Sequence, residues 1–205
     1  MSSNSDAEKF NWMQGFTVDF SLLNGKSEGA AETTRRRVSD MRGVYKDEVA
    51  AESLIEQGNP LVYEFYEMGA PESDAHLAFG TSITYPGKVG KEFFMTKGHF
   101  HTILETAEVY YCLSGKGYLL LENPEGDWNL QKLSPGVTVY VPPKYAHRSI
   151  NTGKSPLVTF FCFRGDAGHD YGSIEAKGFR KLLVEKDGKV DVVDNPKWNQ
   201  GNDRI

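Results

Sequence analysis

Short apolar runs, each closed by turn residues, fill the chain from Leu61 to about Val193. Leu61-Val-Tyr-Glu-Phe-Tyr-Glu alternates. Glu108–Leu113 and Tyr118–Leu121 are joined by Ser114-Gly-Lys-Gly. Pro124-Glu-Gly-Asp precedes Trp128–Leu133, and Ser134-Pro-Gly precedes Val137-Thr-Val-Tyr-Val. Asp187-Gly188 joins Lys181–Glu185 to Lys189–Val193, and Asp-Gly suits a tight hairpin because both central residues take a positive φ. Leu157–Phe163 is nearly all apolar and predicts a strand buried on both faces. Runs this short are strands rather than helices. Many of them with regular turns fold as an antiparallel sandwich or barrel.

The remainder differs in texture. One helix is expected between Tyr45 and Gly58: Asp47 and Glu48 favour the helix dipole in its first turn, and Ala50, Ala51, Leu54 and Ile55 make an apolar face. Gly58-Asn-Pro60 stops it. Residues 1 to about 35 are polar, but Val18, Phe20 and Leu22 alternate, which predicts a strand added to a sheet edge. Arg35-Arg-Arg37 reads as a solvated face. The expected organisation is an arm with one helix packing on the barrel over residues 1–60, the barrel over 61–198 and a tail over 199–205.

Charge and cysteine content exclude several classes. Lys and Arg number 23 against 28 Asp and Glu, a formal charge of −5, which disfavours a nucleic-acid backbone as partner. No run approaches the roughly 20 apolar residues of a membrane span. The first residues lack a basic, then apolar, leader. Cys112 and Cys162 cannot make a disulfide framework. Cys112, on the face of Glu108 and Tyr110, reads as a small packing residue, and His76 as a surface residue. A cytoplasmic protein with a small-molecule substrate, not a nucleic acid or a membrane, is the expectation.

Two of the five histidines form His99-Phe-His101. On a strand, residues i and i+2 share a face, so both imidazoles, and Lys97 with them, point one way. Such a pair offers a divalent metal two nitrogen ligands. Glu108 opens the next strand and Gly115 closes it; Gly136, Pro142, His147 and Asn151 follow. This layout resembles the cupin superfamily, a double-stranded β-helix or jelly roll with an H-x-H…Glu motif and a second motif ending in His and Asn. Two positions depart from it: Lys144 stands at the second motif's Gly, and six residues rather than three or four separate His101 from Glu108. Glu105 has the usual spacing and is a rival ligand. Glu108 is preferred because Gly115 then falls at the proper distance.

Longer strings narrow the resemblance. Met95-Thr-Lys-Gly-His-Phe-His, Ala107-Glu-Val-Tyr, Tyr140-Val-Pro-Pro-Lys-Tyr-Ala-His-Arg, Asp166-Ala-Gly-His-Asp-Tyr-Gly and Val193-Asp-Asn-Pro-Lys-Trp closely resemble the cupin-type, or archaeal-type, glucose-6-phosphate isomerases. The resemblance implies an all-β barrel that interconverts glucose 6-phosphate and fructose 6-phosphate, through a cis-enediol or a hydride shift. It implies one divalent metal held by His99, His101, Glu108 and His147, iron foremost, with manganese, zinc and nickel compatible with the same ligand set. It casts Glu108 as the base and His169 as the group that opens the sugar ring. It places substrate and phosphate contacts at Tyr63, Ser82, Thr96, Gly98, Tyr110 and Tyr171, with Ser82 where Thr is usual and Phe163 where the family can have Tyr. It also implies a homodimer, for which Phe160–Phe163 reads as core or dimer interface. Two other readings share the ligand set: a non-catalytic sugar-phosphate-binding cupin and an iron cupin dioxygenase.

Overall fold

The computed structural model describes residues 10–30 and 32–198. The first nine residues, and the tail expected over 199–205, lie outside the described residues. Fifteen elements follow one another: β1 (Glu32–Arg37), α1 (Glu48–Glu56), β2 (Leu61–Glu67), β3 (Leu77–Thr84), β4 (Lys88–Val89), β5 (Glu92–Phe93), β6 (Glu108–Ser114), β7 (Gly117–Glu122), β8 (Trp128–Leu133), β9 (Thr138–Val141), β10 (Ala146–Asn151), β11 (Leu157–Arg164), α2 (Gly172–Lys177), β12 (Lys181–Lys186) and β13 (Lys189–Asp194). A single 3-10 turn, Val38–Met41, follows β1.

Three antiparallel sheets result. The first has the order β1-β2-β3-β11-β6-β9 and the second β10-β7-β8. The extended segment 95–101 joins the second beside β10, through bridges Met95 to Ile150 and His99 to His147. Between β3 and β11, leaving aside β4 and β5, the chain distributes eight extended segments over two facing sheets, in the order β3-β11-β6-β9 and 95–101-β10-β7-β8. That is the jelly-roll arrangement, two Greek keys closed on each other. The third sheet, β13-β12-β5-β4, lies outside the second.

This layering explains two sequence patterns. Leu119, Leu120 and Leu121 are all fully buried, though only alternate residues of a strand share a face. Leu119 and Leu121 pack inside the barrel with Tyr110, Phe161 and Phe163. Leu120 packs outward with Val62, Phe94, Ile150 and Phe179, beneath α1 and β12. Along β10 every residue is buried for the same reason. α1 forms where expected. Its N-cap is Asp47, whose carboxylate accepts the Ala50 N–H, and its Ala51 enters the core with Val38, Met41 and Tyr45. Residues 32–56 and the barrel therefore share one core.

The N-terminal region departs from expectation. Val18–Leu22 forms no strand. Phe20 packs edge-on against Phe79 and Phe160, and Phe16 stacks on Phe79, so the segment covers the outer face of β3 and β11 with aromatic rings. The edge strand is β1 instead, paired with β2 in a register that sets Arg35 opposite Glu64. Arg35 Nε donates to Glu64 at 2.9 Å from a largely exposed side chain. Arg37 caps the carbonyl of Asn59. An edge strand carrying three arginines is protected from further pairing.

Candidate metal centre and substrate cavity

The two facing sheets each bring ligands to one point. β10 supplies His147, the segment bridged to it supplies His99 and His101, and β6 on the opposite sheet supplies Glu108. One ligand atom from each of these residues lies within 4.8 Å of every other. Glu108 Oε2 is 3.1 Å from His101 Nε2 and 2.8 Å from His147 Nε2. The four converge on a single side of the barrel interior, and all but His99 are buried in it.

The outward nitrogens fix the tautomers. Thr106 Oγ1 donates its proton to the Ile103 carbonyl, so it can only accept from His101 Nδ1, 2.7 Å away. His147 Nδ1 faces the Tyr145 carbonyl at 3.4 Å. Both Nε2 lone pairs are thereby turned toward the cavity. The Nε2 atom of His99 is buried without a hydrogen-bond partner, and that of His147 meets only the Glu108 carboxylate. Orphaned buried nitrogens around a carboxylate are the arrangement a divalent ion satisfies, and the Nδ1 partners are the support such ligands normally have. The electrostatics agree. Burial, with the neighbouring His147 and His169, pushes His99 well below its usual range, so it stays a neutral donor. Burial alone would raise Glu108, but His147 and His101 outweigh it and hold the carboxyl below its usual range. The donor set therefore fits a metal, which His99, His101, Glu108 and His147 could hold.

The second motif explains one departure noted above. Lys144, at the position of the usual Gly, has φ +69° and its N–H bonds the Leu104 carbonyl at 2.7 Å. The turn into β10 needs a left-handed residue, and here a lysine adopts it at a cost of about 1 kcal/mol. Glu105, the rival carboxylate, is exposed on the connection and outside the cluster.

A cavity of about 530 Å³, counting its open mouth, adjoins the cluster. Tyr63, Ser82, Thr96, Gly98, Tyr110 and Tyr171 all line it, together with His99, Glu108, His147 and His169. His169 stands exposed at the rim, its ring 4.4 Å from that of His99 and stacked at 6.1 Å on Tyr171. The Tyr110 hydroxyl faces Glu108 and, through burial first and that carboxylate second, is held well above its usual range. Phe163 lies between His101 and His169, with ring centroids 5.6 and 5.4 Å away.

The segment 95–101 is not a plain strand. Gly98 has φ +75°, which resets the alternation, so that Thr96, Lys97, Gly98 and His99 all reach the cavity wall. Sequence reasoning gave no role to Ser149, Phe65 or Glu67, put Lys97 on the imidazole face without a function and read Phe161 as core or dimer interface; all five also line the cavity. Period two would have found most of them. Ser149 is two residues beyond His147, Phe65 and Glu67 follow Tyr63 on β2, and Phe161 precedes Phe163 on β11. The outward face of β11, with Phe160 and Cys162 only half-buried, meets the N-terminal aromatic rings rather than a second core.

Comparison with known proteins accords with the site. A family model described as Glucose-6-phosphate isomerase (GPI) matches residues 35–199. Relatives named glucose-6-phosphate isomerase include one from Thermococcus litoralis, 49% identical over 91% of this chain and 98% of that protein, and one from Pyrococcus furiosus, 50% identical over 91% and 97%. A bacterial one, from Sinorhizobium medicae, is 37% identical over 87% of this chain and 85% of its own. Among solved structures, Bacillus subtilis oxalate decarboxylase overlaps 52% of this chain and 26% of its own at a TM-score of 0.41 and 24% identity, a likeness too partial to bear on chemistry. By a match that spans most of its length and relatives that share half its residues, the chain belongs to the glucose-6-phosphate isomerase family.

Proposed function

We propose that this chain is a metal-dependent isomerase that interconverts glucose 6-phosphate and fructose 6-phosphate. The observation that carries the reading is the single cavity in which three imidazoles and the Glu108 carboxylate adjoin a wall of hydroxyls and His169. The exchange moves a hydrogen between C1 and C2 of an opened sugar. Glu108 takes the carbon-bound proton and returns it to the neighbouring carbon through a cis-enediol; its buried carboxylate is held ionised, as a base must be. His169, at the rim, moves a proton between sugar oxygens to open the ring. Tyr63, Ser82, Thr96, Gly98 and Tyr171 orient the phosphate end, and Tyr110 orients Glu108. A divalent ion bound at the cluster supplies Lewis-acid charge for the oxygens that become negative. Iron is the ion proposed. The chain is further proposed to work in the cytoplasm as a homodimer, through an outer barrel face on which Tyr140 and Tyr111 stand exposed. Among the described residues no helix is long and apolar enough to cross a membrane.

A coupled assay with fructose 6-phosphate, run on metal-loaded and chelated protein, tests the reading. Glucose 6-phosphate formation that depends on the ion supports it. Binding of the sugar phosphate without turnover by the loaded protein would replace it with a non-catalytic one.

A further inference from the structure

Arg148 follows the ligand His147 on β10 and points the other way, out of the barrel. It is 2% exposed and among the largest fully buried side chains. It forms no ion pair with any described residue. Its guanidinium lies 4.3 Å over the Phe179 ring, one terminal nitrogen is 3.3 Å from Met95 Sδ, and the other donates to the Lys97 carbonyl. Glu92 and Glu122 face it from β5 and β7 without forming an ion pair; one oxygen of each accepts a backbone N–H, from Lys46 and Arg180, and the other Glu92 oxygen is buried without a hydrogen bond. Burial pushes Arg148 down only to about 10, so it remains a cation at neutral pH. A buried cation without a partner carboxylate is expensive to keep, and its one strong hydrogen bond goes to the turn that lines the cavity.

The Lys97 carbonyl belongs to the same peptide unit as the Gly98 N–H. That peptide is trans, so the two point in opposite directions. With its oxygen turned back to Arg148, the unit presents its N–H forward, where Gly98 lines the cavity. Among the described residues this N–H has no acceptor. Gly98 is also pinned from behind. A Cβ there would meet Phe179 at 2.6 Å, and Arg148 Cβ and the His147 carbonyl at 2.9 Å.

We propose that Arg148 is a positioning residue for the substrate's phosphate group: from behind the wall it fixes and polarises the Lys97–Gly98 peptide, whose N–H then receives a phosphate oxygen. A cation bonded to a peptide oxygen strengthens the donor at the other end. This allows a dianion to be recognised by hydroxyls and an amide, with the compensating charge kept out of reach of the reacting sugar. The inference rests on the reading that the phosphate end lies at Thr96 and Gly98.

Zinc-loaded, ¹⁵N-labelled protein titrated with inorganic phosphate tests both levels. In the wild type the Gly98 amide should shift and saturate. Arg148→Gln keeps a donor but removes the charge. It should weaken phosphate binding and raise the KM for fructose 6-phosphate by about tenfold, about 1.4 kcal/mol, with kcat and zinc content held within about threefold. Arg148→Lys, which keeps the charge without the fork, should lose less. A Gly98 amide unmoved by phosphate that competes with substrate overturns the placement of the phosphate, and the proposal with it. A moving amide together with a folded Arg148→Gln protein of unchanged phosphate affinity overturns the role of Arg148 alone. Loss of zinc or of thermal stability at unchanged KM, or failure of both variants to fold, makes Arg148 a packing residue and overturns it too.

Discussion

The two ends of the cavity are built on different plans. At the imidazole end few groups act, and each is held by another: Thr106 orients His101, the Tyr145 carbonyl faces His147, and Tyr110 faces Glu108. At the hydroxyl end the proposed contacts are many, drawn from β2, β3, segment 95–101 and the start of α2, and the one cation among the described residues of the wall, Lys97, is tied to Glu175 at 3.0 Å. The first plan concentrates function in groups that cannot be replaced singly. The second spreads it so that each group contributes a little. A ligand cluster tolerates no loss because every remaining donor is then left buried and unsatisfied. A wall of hydroxyls loses one hydrogen bond at a time.

The contrast should appear as a gradient of mutant effects. Chelation should reduce isomerase turnover to background, and several divalent ions should restore it to different extents, with elemental analysis tracking occupancy. Full turnover in verified metal-free protein would erase the distinction between the ends. Next, Glu108→Gln should lower kcat by ~10²–10⁴-fold, whereas Glu105→Gln, on the exposed connection, should stay within about twofold of wild type; equal losses would reverse the choice of carboxylate. His169→Ala should keep its metal and lose less than Glu108→Gln, since sugar rings also open without help; metal loss in this variant would move His169 into the ligand cluster. At the hydroxyl end, Ser82→Ala should raise KM by about three- to tenfold, as expected for the net worth of one ordinary hydrogen bond, with kcat little changed. A kcat defect there as deep as that of Glu108→Gln would show the two ends to be one machine. The smallest effect is expected of Phe163→Tyr, a shift in KM of about twofold.

How much of this was legible in the sequence follows from the kind of information each part needs. The imidazole end was readable because its residues sit at fixed spacings on chain that is extended for other reasons. His99 and His101 could be picked out from their spacing, and the cupin motif resemblance added Glu108 and His147 as candidate ligands. The hydroxyl end was legible only through family resemblance, since a tyrosine or serine on a strand looks the same whether it faces a ligand or a core. The edge strand was misplaced because alternation is a property of one segment, while a strand needs two. Val18–Leu22 alternates but has nothing in register beside it. Arg35-Arg-Arg37 looks solvated, yet Arg35 finds Glu64 across the ladder. Arg148 lay beyond reach for a related reason. A charged residue in the middle of β10 reads as surface, and only the third sheet, packed outside the second, makes it interior.

The four candidate ligands also lie on opposite walls of the barrel, Glu108 on β6 and His147 on β10, with about forty residues of chain between those two. In folding terms that pair is a distant contact, and an ion gripping both would act as a staple between the walls. Because the unfolded chain holds no such cluster, the apparent stability of the protein becomes a function of free ion, rising by about 1.4 kcal/mol for each tenfold excess over the dissociation constant. Heating curves taken at graded ion concentrations should then climb without a plateau in Tm, and stripped protein should yield to proteases at a temperature the loaded form survives.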